Sequence, residues 1–194
     1  MTITIVKPTK EEMIKCIARA GDIEPKNDGF IDSGLPGCDR WMYDYLRFND
    51  PSVPHPVGDT STPAISHLKP GFGLGFVKAA PGNGVPMHAH DTNETFMVLS
   101  GTWKLEWEGA DGTDHAILGK HDALSVPVGV MRRFEAVETD PQEELCTMLA
   151  VIAGDAPDAK FSPEAVQFFI DNGRITAEQV AAIQRGEVES RQGV

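Results

Sequence analysis

The segment Gly82-Asn83-Gly84-Val85-Pro86-Met87-His88-Ala89-His90-Asp91-Thr92-Asn93-Glu94-Thr95-Phe96-Met97-Val98-Leu99-Ser100-Gly101 decides how the chain is read. In an extended strand alternate side chains share a face, so His88 and His90 point the same way and Ala89 the other. Asp91-Thr92-Asn93 is turn-prone and Thr95 to Leu99 is strand-like, which brings Glu94 beside the two histidines at the base of the next strand. Two imidazoles and one carboxylate suit a divalent Fe, Mn, Zn, Ni or Co ion. The plainer reading is a hydrogen-bonded polar cluster without metal, and the spacing favours the metal.

Outward from this segment, the middle of the chain is a succession of short strands separated by turn signals, the pattern of an antiparallel barrel or sandwich. Strands are expected at Ala64 to Leu68, Gly73 to Ala79, Val85 to His90, Thr95 to Leu99 and Thr102 to Trp107. Others are expected at His115 to Leu118, Ala123 to Val126, Arg132 to Val137 and Leu145 to Ile152. Glu108 to Thr113 supplies the glycine and aspartate of a hairpin turn. Trp103, Leu105 and Trp107 alternate with polar residues, a stripe that reads first as core and second as a pocket wall.

The first segment and a second one together resemble the cupin superfamily. Gly82, five residues, His88-Ala89-His90, three residues, Glu94, six residues and Gly101 fill every fixed position of that family's first motif. His121-Asp122, four residues, Pro127-Val128-Gly129, two residues and Arg132 match the second motif with two departures. The position of Arg132 usually holds the last histidine ligand, and that of His121 is commonly glycine. The resemblance implies an all-β core of the double-stranded β-helix (jelly-roll barrel) type. With it, residues 1–63 form an N-terminal helix and arm, 64–155 the barrel, and 156–194 a C-terminal helical hairpin and tail.

Arginine is protonated at every usable pH and offers a metal no lone pair. Three arrangements follow for Arg132. Two histidines and a glutamate hold the metal and leave positions open for substrate, oxygen or water; or no metal binds and the guanidinium pairs with a substrate carboxylate or with Glu94; or a one-residue slip turns Arg132 to solvent and His67, Cys146 or Met148 completes the sphere.

Before the barrel, Thr9 and Glu12 form a capping box for a helix over Lys10 to Ala20. Gly21 to Pro63 is rich in Gly, Pro and Asp and is expected to be irregular, apart from a short strand in which Trp41, Tyr43 and Tyr45 present an aromatic face. Pro51, Pro54, Pro56 and Pro63 make its end a stiff extended connection. After the barrel, Ser162-Pro163-Glu164 starts a helix that Gly173 stops; Thr176 with Glu178 starts a second, bearing Val180 and Ile183 and ended by Gly186. Glu187 to Val194 read as disordered. His121-Asp122 reads as a capped turn before a strand.

With 17 Lys+Arg against 29 Asp+Glu, the net charge of −12 repels nucleic-acid phosphates and anionic membrane surfaces, so neither is expected as a partner. No apolar run approaches the length of a membrane span, and the N-terminus lacks signal-peptide features, which makes the cytoplasm the expected compartment. Cys16, Cys38 and Cys146 are odd in number and scattered, as reduced thiols are. Phosphate loops, Cys-x-x-Cys pairs, nucleophile elbows and internal repeats are absent.

The expected function is that of a metal-binding cupin, a small-molecule oxygenase of dioxygenase type with one Fe(II) on His88, His90 and Glu94. Zn, Mn or Ni are the alternative ions, and Arg132 is the candidate catalytic residue, holding a substrate carboxylate. A non-oxidative metal enzyme (isomerase, lyase or hydrolase) and a non-catalytic small-ligand sensor are the alternatives. The resemblance further implies a homodimer.

Overall fold

Alternation of apolar and polar residues closes the middle of the chain into two antiparallel sheets packed face to face. The computed structural model describes residues 2–48, 62–155 and 157–184. Within them lie β1 (Trp41–Leu46), β2 (Phe72–Ala79), β3 (Gly84–His90), β4 (Glu94–Ser100), β5 (Thr102–Gly109), β6 (Gly112–Leu118), β7 (Ala123–Val126), β8 (Arg132–Glu138), β9 (Cys146–Ala153) and β10 (Ala159–Phe161). Helix α1 (Lys10–Ile14) precedes them, and α2 (Pro163–Asp171) and α3 (Ala177–Gln184) follow. One sheet runs β1-β2-β9-β4-β7 and the other β10-β3-β8-β5-β6. Successive strands mostly cross from one sheet to the other, so the barrel is a jelly roll, as expected.

The sheets meet through Val77, Phe96, Val98, Trp103, Leu105, Phe134, Ala136 and Met148, all buried. Trp103 and Leu105 are therefore core, and Trp107 is half-buried. A second cluster, Leu35, Cys38, Phe161, Ala165 and Phe169, fastens α2 to β10 and to the N-terminal arm. Pro163 at the first turn and the Ser162 hydroxyl, which accepts from Ala165 N, start α2 where the sequence places it.

Four local expectations change. The Thr9–Glu12 capping box forms, but α1 ends at Ile14 instead of Ala20. It buries no residue, and a helix without an apolar face to pack is not propagated by propensity alone. The strand expected at Ala64 to Leu68 reduces to a single bridge, Ile65 with Leu46. A further strand, β10, pairs with β3 where none was expected. The aromatic strand forms as β1, yet Met42 on its opposite side is what packs against the core. The stops at Gly186, the tail from Glu187, and Pro51, Pro54 and Pro56 lie outside the described residues.

The β3–β8 pairing has a register shift between Val85 and His88. Pro86 lies inside it and has no N–H to give a ladder, so the break falls where the sequence demands it. The start of β3 passes close to β8. A Cβ on Gly84 would stand 1.8 Å from the Phe134 carbonyl oxygen, a backbone atom with nowhere to go. Gly101, between β4 and β5, combines φ +70° with Cys146 Sγ at 2.5 Å from a would-be Cβ, so the last glycine of the first segment is also obligatory.

Gly84→Ala is expected to cost about 3 kcal/mol or more in urea unfolding, the overpacking range, while Gly21→Ala, with nothing within 4 Å, stays within about 0.5 kcal/mol. Equal midpoints for the two variants would contradict the close approach.

Candidate metal centre

The two histidines reach the barrel interior by different local means. The irregularity at Pro86 lets Val85 and His88, three residues apart, both face the interior, and it turns the Pro86 carbonyl onto the His88 ring, 2.8 Å from Nδ1. His90 is paired with Ala159 of β10, and its Nδ1 lies 2.7 Å from the Asp158 carbonyl oxygen. A carbonyl only accepts, so each Nδ1 carries the proton and each Nε2 keeps its lone pair. Glu94 opens β4 beside them, with Oε2 3.8 Å from His90 Nε2. One ligand atom from each of the three residues lies within 4.8 Å of the others, and all three residues are buried. Burial first, then the nearby Arg132 guanidinium, holds His88 well below the ordinary imidazole range. Burial also lowers His90, against the opposing pull of Glu94. Two neutral imidazoles in the ligating tautomer with one carboxylate are the donor set that a divalent transition ion takes.

Arg132 points inward. At 2% exposure it is among the most buried polar residues, its NH2 donates to Glu94 Oε2 at 2.5 Å, and its NH1 donates to the His88 carbonyl at 3.3 Å. Its Nε is buried without an acceptor among the described residues. The solvent-facing arrangement is thereby overturned: the β3–β8 ladder shifts its register between Val85 and His88, and beyond that shift Arg132 lies across from His88 and is buried. Nor do its proposed substitutes gather at the site. Cys146 and Met148 belong to the apolar core, and the His67 ring neighbours Cys16.

The site opens into a cavity of about 150 Å³ whose wall is mainly apolar, including Val77, Val85, Phe96, Phe134 and Ile152. Two further arginines line it, Arg40 and Arg47, whereas Arg132 does not. Arg40 is held by Asp32 at 2.7 Å and by the Cys38 and Gly84 carbonyls, with Phe30 against its guanidinium at 4.7 Å. Arg47 meets Asp44 at 2.9 Å. Burial raises the Asp44 carboxyl above its ordinary value while Arg47 opposes that rise. Sequence reading missed these four because Asp32 and Arg40 sit in an arm that looked irregular and Asp44 alternates with the aromatic residues that drew notice; the available signal was the period of two in β1 itself.

A cupin domain family model matches residues 75–148. The barrel is a cupin domain. Among solved structures the chain is similar to a cupin-2 domain protein of Rhodospirillum rubrum (14% identity, 88% of this chain and 93% of that one, TM-score 0.52). It is similar also to a vicilin of Solanum melongena (11%, 89% and 44%, TM-score 0.53) and to an oxalate oxidase (18%, 60% and 63%, TM-score 0.42). The chain thus spans less than two thirds of the oxalate oxidase and vicilin chains. None of the curated proteins compared matches the sequence. At these identities the likeness concerns the fold. No helix of the described residues is long and apolar enough to cross a membrane. His121 has φ +73°, which explains why this cupin position is commonly glycine, and Asp122 caps the turn by accepting from Gly119 N at 2.9 Å.

Both histidines are depressed below the ordinary imidazole value of 6.5, so the unfolded chain binds more protons than the folded one just below that pH. Their contribution to stability is complete above 6.5 and is lost as pH falls toward the folded values. Metal-free protein is therefore expected to lose melting temperature from pH 7 to pH 5, and His90→Gln to flatten the slope. A slope unchanged in the variant would count against a neutral His90.

Proposed function

We propose that this cupin is a metal-dependent enzyme acting on a small molecule, of dioxygenase type, with one Fe(II) held by His88, His90 and Glu94. The observation that carries the reading is the pair of Nε2 lone pairs, fixed by the Pro86 and Asp158 carbonyls, converging with Glu94 at the wall of a cavity. Three protein donors leave coordination positions for other groups, the arrangement of 2-His-1-carboxylate oxygenases. When bound, iron supplies activation of dioxygen beside the substrate.

The remaining work falls to the chain's own residues. Arg132 fixes the Glu94 carboxylate and keeps a positive charge beside the site, favouring negative charge on whatever binds there. The apolar wall excludes water and strengthens these interactions. Asp44 supports a second reading, non-oxidative metal chemistry, because a buried carboxyl with a raised pKa in the same cavity suits proton transfer.

The test is elemental mass spectrometry of protein purified without chelators, followed by an oxygen-uptake screen of acidic aromatic and diketone compounds. Near-stoichiometric iron, lost in His88→Ala/Glu94→Ala, with oxygen consumption by the wild type is the expected outcome. Stoichiometric zinc, nickel or manganese without oxygen uptake moves the assignment to the second reading. Failure to hold any metal after reconstitution sinks both. Arg132→Ala is expected to retain metal while losing about tenfold or more in kcat/KM, about 1.4 kcal/mol; loss of metal from that variant would refute a role toward substrate.

A further inference from the structure

We infer that Arg132 makes metal binding in this barrel conditional on an anion, so that the cavity takes up a divalent cation and a small carboxylate as a pair. The inference rests on the metal-centre reading above and adds the class of ligand.

The argument is one of charge. Both imidazoles keep their protons on Nδ1, donated to backbone carbonyls, and are neutral. The single negative charge among the three donors is Glu94, and Arg132 already balances it at 2.5 Å from a position 2% exposed. Before any metal arrives the centre therefore sums to zero. Elsewhere on the cavity wall, Arg40 stands against Asp32 and Arg47 against Asp44, so these four described residues add no net negative charge.

A divalent ion would bring two uncompensated positive charges into apolar surroundings, with a fixed guanidinium next to them. Burying unpaired charge is costly, and the cost is relieved when a counter-charge enters with it. Arg132 NH1 and NH2 are held by the His88 carbonyl and by Glu94, which keeps the guanidinium charge beside the ion's position. A carboxylate on the open coordination positions meets the ion's charge, and about 150 Å³ suits a compact acid rather than a bulky polyanion. Linkage is reciprocal, so the anion should bind tightly where the metal is present and poorly where it is not.

The experiment is a calorimetric titration of the full-length metal-free protein with Co(II), in chloride-free buffer at constant ionic strength, with malonate, acetate or neutral acetamide present. Free Co(II) is corrected for complexation in solution, and the visible absorption of bound Co(II) reports any change of ligand. The dissociation constant for Co(II) is expected to fall about tenfold or more with malonate and less with acetate, relative to acetamide. Arg132→Gln, checked for folding by circular dichroism, should bind Co(II) alone more tightly than the wild type and narrow the malonate effect.

The wild-type comparison decides the matter even if that variant does not fold. Equal Co(II) affinity in malonate and acetamide overturns the inference and leaves the metal centre standing. An undiminished malonate effect in folded Arg132→Gln overturns the role of Arg132. No Co(II) binding under any condition overturns both the inference and the reading on which it rests.

Discussion

The pairing of β3 with β8 is the constraint on which the rest of the centre depends. It sets His88 opposite Arg132, breaks at Pro86, and so aims both residues into the barrel. The same break frees the Pro86 carbonyl to fix the His88 tautomer, which a regular ladder would have engaged with a neighbouring strand. Close approach at Gly84 holds the two strands together at the other end of the pairing. Glu94 comes from the opposite sheet, so the donor set also depends on the packing of Phe96 against Phe134, ring centroids 5.4 Å apart, which ties β4 to β8.

Around this constraint the chain's two ends build the walls. The residue before β10, Asp158, supplies its carbonyl to His90, and β10 places Phe161 against the His88 ring, with centroids 5.9 Å apart. The N-terminal arm is fastened by the buried Arg40–Asp32 pair and by Arg40 donating to the Gly84 carbonyl, the residue where β3 begins. A buried ion pair of this kind adds little net stability over an apolar substitute, but removing one partner strands a charge. Its consequence here is positional: the arm forms part of the cavity that His88 and His90 open into.

The barrel strands were legible because their period of two and their glycine turns are local properties of the sequence, and the His88, His90, Glu94 constellation was legible because its spacing depends on one strand and one tight turn. What reading the sequence missed is non-local. β10 is three residues long, too short to show a period, and exists because β3 offers it an edge. α1 shows the converse, a capped helix start with nothing to pack on. Arg132 was recognised as a departure, but its direction depended on the β3–β8 register, which no short-range pattern encodes. Asp44 and Arg40 became visible as cavity residues once the arm was seen folded against the barrel.

Replacing a histidine with an arginine at such a position changes more than the number of ligands. A third imidazole, as the fourth ligand, would be neutral and would leave Glu94 as net negative charge toward the ion. The guanidinium removes that charge while occupying the same carboxylate oxygen that lies nearest His90. The centre then differs from a four-ligand one in kind: its attraction for a cation has to be completed by something that enters from the cavity. Because the cupin fold serves many activities, this local electrostatic balance carries more information about what the protein handles than the barrel that surrounds it.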